Sequence, residues 1–208
     1  MAGIALLPLV LGLPVMLGPI HIAFLEMIID PACSIVLEAE EEEADVMRRP
    51  PRDPSSPLLV PRRIAWAVIQ GLGALALATA MLVFGARHGM PEDELRAMVF
   101  TILVLLDVVL ILANRSFDAS ITRAFTHSSG VLRVFLAAIA LLLGLALFVA
   151  PVRALFHFGT LRGDALLACG LTALAALLVL ERLKARFLRA AGERLASSVA
   201  SPSPRQGR

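Results

Sequence analysis

Two carboxylates and a proline lie within one apolar stretch of this sequence. Glu26 and Asp30 are four residues apart in the run GPIHIAFLEMIIDPACSIVLE, and Pro31 follows directly. This spacing puts both acids on one face of a helix, about one turn apart. In a low dielectric they cannot both stay ionised unless a cation lies between them or one takes up a proton. The pair therefore indicates a site that binds and releases cations.

Pro31 adds a second kind of ligand to this site. Proline cannot donate a hydrogen bond to the carbonyl of Met27, and its ring crowds the preceding turn. We expect a local helix break here that frees main-chain oxygens, which together with carboxylates are the ligands of hard cations. Transporters commonly place broken helices at their binding sites. The alternative is a purely structural role, which is expensive because an intramembrane charge costs roughly 2.5–3.5 kcal/mol.

A third acid, Asp107, lies deep in the apolar run TILVLLDVVLILANRS. It is either a third cation ligand or a structural carboxyl that is hydrogen-bonded between helices. We expect Glu26, Asp30 and Asp107 to converge near the bilayer midplane and to face the interior of the protein, because facing lipid would carry an uncompensated cost. His21 is read as an interfacial residue, with proton transfer as the alternative. Cys33 is read as a small packing residue, with binding of a softer metal as the alternative.

The composition indicates that lipid covers much of this chain. Of 208 residues, 58% are apolar and 17% are charged, and the mean hydropathy is +0.82. Soluble domains have about 45–50% apolar and about 25% charged residues, and a globule of this size could not bury the difference. The apolar residues form six segments, at residues 4–17, 20–37, 64–85, 95–113, 131–150 and 161–180.

Most of these segments approach the ~20 residues that a helix needs to cross a bilayer, and they lack the alternation of barrel strands. We therefore predict an all-α fold, a polytopic membrane helix bundle with about six transmembrane segments, in which residues 1–194 form the membrane domain. The first segment is short, as though its beginning were missing. Residues 38–63 join an acidic run to an Arg/Pro run, and residues 195–208 read as a disordered tail.

The basic residues predict the orientation. With six spans, one side of the membrane holds four of the nineteen Lys and Arg residues: Arg87, Arg96, Arg153 and Arg162. The other side holds the rest, so the positive-inside rule places both termini in the cytoplasm. The Arg-over-Lys and Ala/Leu-rich usage favours a bacterial cell membrane.

The run PIHIAFLEMIIDPACS, followed by DVMRRPPRDPSSPLL, resembles the sixth transmembrane helix and the next cytoplasmic loop of type II, calcium-pump-like P-type ATPases. Residues 46–59 match the family's Arg-Pro-Pro-Arg string almost throughout. The resemblance implies that the chain runs from a truncated fifth helix to the tenth, that Asp30 is the family's ion-binding aspartate, and that Asp107 is the acid of the eighth helix. Glu26 and Ile29 stand where calcium pumps usually have asparagine and threonine. The transported cation therefore stays open between calcium, another divalent cation and a proton.

The family's catalytic motifs are not found in these 208 residues. Lys184 is the only lysine, so the Asp-Lys-Thr-Gly-Thr phosphorylation motif is absent, as are the actuator and hinge motifs. We expect no ATPase activity from this polypeptide alone and no cofactor besides the transported cation. The expected partners are the lipid bilayer and a separate catalytic chain, and nucleic acid is not among them. A pump component, a stand-alone membrane subunit or channel, and an inert remnant all remain open.

Overall fold

The computed structural model describes residues 16–38, 61–114 and 130–200, together with Gly3, Ile4, Leu6, Leu9 and Gly12; the side chains of residues 28–33, 35–38, 62–63 and 185–200 are outside this description. The helices in this part are α1 (Pro19–Glu38), α2 (Pro61–Arg87), α3 (Glu92–Asn114), α4 (Gly130–Phe148), the short α5 (Ala150–Leu155) and α6 (Gly163–Ala200). The prediction of an all-α fold is confirmed for this part of the chain.

A tight turn at residues 88–91 joins α2 to α3. The amide of Met90 donates to the carbonyl of Gly85 at 3.1 Å, and that of Gly89 donates to the carbonyl of Ala86 at 3.1 Å. Gly89 has a φ of 66°, which glycine adopts without steric cost and which closes a helix in this hydrogen-bond pattern. The next helix begins with the acidic residues 92–94, which suit the positive end of its dipole. This hairpin marks one end of the bundle, called here the hairpin end.

The third helix lies at the centre of the bundle. Over its most apolar stretch 56% of the residues are buried, against 22% in each of α2, α4 and α6. It contacts α1, α2, α4 and α6. The outer helices therefore present large exposed apolar side chains to their surroundings, including Val68, Leu72, Val134, Leu141, Leu171 and Leu178.

Within the part of the chain that the structure describes, four helices are long and apolar enough to cross a membrane: Ile64–Arg87, Glu92–Asn114, Gly130–Phe148 and Gly163–Lys184. They correspond to the last four predicted segments, so the prediction of a membrane helix bundle is confirmed. The second predicted segment is α1, whereas most of the first lies outside the described residues. Most of the predicted linker at residues 38–63 lies outside them as well.

Two boundaries differ from the sequence-based ones. The predicted segment 131–150 ends at Phe148, because Val149 is extended (φ −89°, ψ 112°) and the short α5 begins at Ala150, with Pro151 in its first turn. Proline suits the first turn of a helix but disfavours helical geometry in the residues before it. At the other end of the chain α6 continues to Ala200, six residues into the segment for which the sequence predicts disorder. Residues 201–208 lie outside the structure as described.

Gly159 permits the closest approach between loops at the hairpin end. A Cβ at this position would lie 2.7 Å from the backbone nitrogen of Glu94 and 2.8 Å from the Asp93 carboxylate. We expect Gly159→Ala to destabilise the purified chain by about 1–3 kcal/mol, because backbone atoms cannot easily move aside. Thermal unfolding in detergent, followed by circular dichroism, measures the loss.

Two other glycines provide matched controls. At Gly85 a Cβ would meet only the flexible ends of Leu95, Met98 and Met90 side chains, at 2.6–2.9 Å, so Gly85→Ala is expected to cost less than Gly159→Ala. At Gly170, within α6, nothing lies within 4 Å, and alanine there is expected to be neutral or stabilising. An equal effect of all three substitutions would contradict this packing of residue 159.

Candidate functional site

The first turn of α1, the helix that carries Glu26 and Asp30, is anchored at the hairpin end by His21. The His21 side chain is 3% exposed, and its two ring nitrogens lie 3.0 Å from the Gly18 amide nitrogen and 2.9 Å from the Phe156 carbonyl oxygen. The ring also contacts Phe100 of α3 and Phe158 of the loop that follows α5. The start of α1 is thereby joined to two other parts of the bundle.

Arg96 of α3 makes a second connection at the same end. Its Nε donates to the Met16 carbonyl at 3.1 Å, and its Nη1 donates to the His157 carbonyl at 3.0 Å. Nearby, the Glu94 carboxylate accepts a hydrogen bond from the Arg162 amide at 3.3 Å. The segment before α1, the start of α3 and the loop before α6 therefore form one hydrogen-bonded cap.

These contacts fix the relative direction and register of α1 and α3. Met16 pairs with Arg96, and Phe24 contacts Phe100 with ring centroids 5.8 Å apart. The two helices therefore run in the same direction. At 1.5 Å per residue, Asp107 lies about 10 Å beyond Phe100, on the same side of α3 after nearly two turns. This depth corresponds to residues 28–31 of α1, the part of the helix that contains Asp30.

Asp107 borders a cavity of about 420 Å³. Its Oδ2 atom is buried and has no hydrogen-bond partner among the described residues. The remaining lining is apolar and comes from the first segment, from α2 and from α3, and includes Ile4, Leu72, Leu75, Leu103 and Leu110. A buried carboxyl oxygen without a partner carries a desolvation cost of about 1–3 kcal/mol, which a structural carboxyl would avoid by making a hydrogen bond. Within the described part of the chain, this oxygen therefore keeps its capacity to accept a hydrogen bond unused.

Glu26 lies on an exposed face of α1, whereas Leu25 on the packed side is 1% exposed. The helix period accounts for the exposure of Glu26, because Glu26 follows Phe24 by two residues and so faces about 200° away from it. The convergence of the Glu26, Asp30 and Asp107 carboxyls stays a prediction.

Asp30 and Pro31 belong to α1, but their side chains lie outside the described residues. By its four-residue spacing Asp30 shares the helix face of Glu26. The helix continues through Pro31 to Glu38, so the local unwinding predicted there is not seen. Proline still removes the amide that would bond to the carbonyl of Met27, and that oxygen lacks its usual helical donor even in a continuous helix.

Sequence reasoning missed the residues that hold these helices together. In the sequence, Arg96 indicates only membrane topology, and the phenylalanines of the cap carry no motif. Lys184, the single lysine of the sequence, is 6% exposed, and its Nζ donates to the Ala113 carbonyl at 2.9 Å. A cation at the end of a helix stabilises the exposed carbonyls there. A basic residue bordering an apolar run was the only available signal.

Comparison with known proteins shows a similarity to a family and to a curated relative. The family model described as "Cation transporting ATPase, C-terminus" matches residues 14–186 of this chain. The calcium-transporting ATPase of Bacillus subtilis (strain 168) is 26% identical over 179 residues. That alignment covers 85% of this chain but 20% of the relative, so the chain spans about a fifth of the relative's length.

Proposed function

Because this chain belongs to the cation-transporting ATPases, matching their C-terminal region over residues 14–186, we propose that it supplies part of the intramembrane cation site of an ATP-driven pump. The catalytic domains come from elsewhere, either from a separate catalytic chain or from a longer product of the same gene. Glu26 and Asp30 provide ligands from α1, and Asp107 provides one from α3. The candidate cations are calcium, another divalent cation and a proton.

The observation that carries this proposal is the exposure of Glu26 on a membrane helix. A carboxylate that faces lipid near the bilayer centre costs roughly 2.5–3.5 kcal/mol, and two on one face double that cost. Further transmembrane helices that cover this face remove the penalty, and a cation between the two carboxylates offsets their repulsion. In a bundle without such further helices, the outward position of Glu26 would carry this free-energy cost without compensation.

The cavity beside Asp107 supports the same proposal. Its wall includes Gly3 and Ile4 of the first segment as well as α2 and α3. The Asp107 Oδ2 atom, which has no hydrogen-bond partner among the described residues, provides a hard oxygen ligand of the kind that calcium binds, and it can also take up a proton. Because Asp107 and Asp30 lie at about the same depth, both can act on one pathway through the membrane.

The purified chain is expected to show no ATP hydrolysis and no acid-stable phosphate incorporation from ATP, because the phosphorylation motif is not within its 208 residues. Incubation in nanodiscs with radiolabelled ATP, followed by acid electrophoresis, tests this. An aspartyl-phosphate on the purified polypeptide would contradict the proposal that the catalytic domains lie outside these 208 residues.

Both termini are expected in the cytoplasm, with the hairpin end on the opposite side. Met90 and Phe158 both belong to this end, where the Glu94 carboxylate bonds to the Arg162 amide. Reporter fusions after Arg52, after Ala119 and at the C-terminus should therefore report cytoplasm, and fusions near Met90 and Phe158 the other side. A C-terminus found outside would refute the six-span topology in a bacterial cell membrane.

A further inference from the structure

His21 can make its two hydrogen bonds in only one form of its ring. The Gly18 amide 3.0 Å from Nδ1 can only donate, and the Phe156 carbonyl 2.9 Å from Nε2 can only accept. Nδ1 must therefore be without a proton while Nε2 carries one. The neutral Nε2–H tautomer satisfies both partners, whereas the imidazolium would set an N–H of the ring against the Gly18 amide.

The ring is also held in place by its packing. Its centroid lies 6.1 Å from that of Phe100, 5.6 Å from that of Phe156 and 5.2 Å from that of Phe158. The contacts come from α3 and from the loop that follows α5, so three parts of the bundle meet at one imidazole. Edge-to-face and tilted ring pairs of this kind have preferred geometries and restrict rotation of the ring.

This anchor sets which face of α1 points outward. His21, Phe24 and Leu25 lie on the packed side of the helix, and at 100° per residue Glu26 follows on the opposite side. We propose that His21 is a positioning residue that fixes the rotation of α1, so that the Glu26 and Asp30 face is presented to the helices that complete the cation site. The role of that face rests on the proposed function, whereas the anchoring of α1 does not.

Two substitutions separate the hydrogen bonds from the packing. His21→Phe keeps an aromatic ring in the cluster but removes both hydrogen bonds. His21→Gln loses the ring, but its amide oxygen can accept from Gly18 and its amide NH₂ can donate to Phe156. If His21 acts through its hydrogen bonds, His21→Gln retains the wild-type behaviour and His21→Phe does not. Circular dichroism identifies any variant that fails to fold, and the glutamine variant then decides the question.

The first measurement concerns the ring itself, in the full 208-residue chain in nanodiscs. The sequence contains four histidines. In nitrogen-15 NMR of ring-labelled histidine, one of them should give the signals of a protonated Nε2 and an unprotonated Nδ1, and these signals should disappear in His21→Gln. The opposite tautomer, or an imidazolium at neutral pH, would overturn the anchor.

The second measurement concerns the rotation of α1. Met27 on α1 and Leu171 on α6 are 63% and 65% exposed, and each is eight residues after the first residue of its helix. Spin labels at these positions, with Cys33 and Cys169 replaced by serine, should give one distance population in wild type and in His21→Gln. In His21→Phe the population should broaden or shift by about 5 Å or more, as expected when a helix of ~10 Å diameter turns.

The third measurement uses the complete pump and reads the cation concentration for half-maximal phosphoenzyme formation. His21→Phe should raise that concentration about tenfold with the maximal level unchanged, and His21→Gln should stay within about threefold of wild type. Unchanged distances and affinity in His21→Phe, or equal damage from both substitutions, would overturn the proposal. Wild-type material without any phosphoenzyme would refute the proposed function instead, and the first two measurements would still decide the role of His21.

Discussion

Replacing Asp30 by asparagine is expected to weaken the apparent cation affinity of the assembled pump by roughly 100-fold or more. Asp30 lies four residues after Glu26, a spacing that repeats on one helix face, and Pro31 beside it leaves the Met27 carbonyl without a helical donor. In the assembled pump the Asp30 carboxylate and the bound cation form a buried charge pair, and removing one member of such a pair costs about 3–5 kcal/mol. Each ~1.4 kcal/mol corresponds to a factor of ten in affinity. The measurement is cation-dependent phosphoenzyme formation at a series of cation concentrations.

Two further variants on the same helix serve as controls. Glu26→Gln should have the next largest effect and should shift the pH dependence if Glu26 is the carboxyl that takes up the proton. Ser34 is an exposed polar residue four positions after Asp30, and Ser34→Ala should leave the cation affinity unchanged. Normal transport by Asp30→Asn would show that the site has been assigned to the wrong residue.

Replacing Asp107 by leucine is expected to stabilise the purified chain and to abolish its contribution to cation binding. The Oδ2 atom is buried without a partner in the described part of the chain, and the adjacent cavity of about 420 Å³ can accept a larger side chain. Removing an unsatisfied buried polar group raises the free energy of unfolding by about 1–3 kcal/mol. For a chain of this length, each kcal/mol raises the melting temperature by very roughly 2–4 °C. Thermal unfolding in detergent measures the gain.

The sign of that change distinguishes two roles for Asp107. A structural carboxyl that holds helices together by hydrogen bonds would make Asp107→Leu strongly destabilising. Thr101→Val is a suitable control, because the Thr101 hydroxyl is buried and already donates to the Ala97 carbonyl at 2.7 Å. It should change stability by about 1 kcal/mol and leave the cation affinity as it was. A loss of stability in Asp107→Leu would therefore contradict its role as a ligand.

The helices could be predicted from the sequence because lipid demands long apolar runs. The predicted segments 64–85 and 95–113 fall within α2 and α3, which extend past them by only a few residues. The break after Phe148 was missed because hydropathy continues smoothly through Val149 and Ala150, and only Pro151 signals a restart. Apolar composition locates a span, but the ends depend on local backbone geometry.

The sequence supplies the candidate residues of the site, whose roles stay predictions, but it does not supply their arrangement. A charge within an apolar run is visible in any sequence, which is how Glu26, Asp30 and Asp107 were found. Whether two such residues face each other depends on which side of each helix is packed, and that side is set here by His21 and the phenylalanines around it. These contacts join residues more than 70 positions apart, and no local pattern predicts them.

Phosphorylation of the assembly that carries this chain in its native membranes tests the central claim most directly. With an affinity tag at the C-terminus, the purified material should contain a polypeptide with the catalytic domains, either separate or continuous with this chain. Radiolabelled ATP should place acid-stable phosphate on that polypeptide in a cation-dependent manner, and Asp30→Asn should shift the required cation concentration upward. Recovery of only the 22.2 kDa chain, with no cation-dependent phosphoenzyme in the preparation, would contradict the proposal that it is part of a working pump.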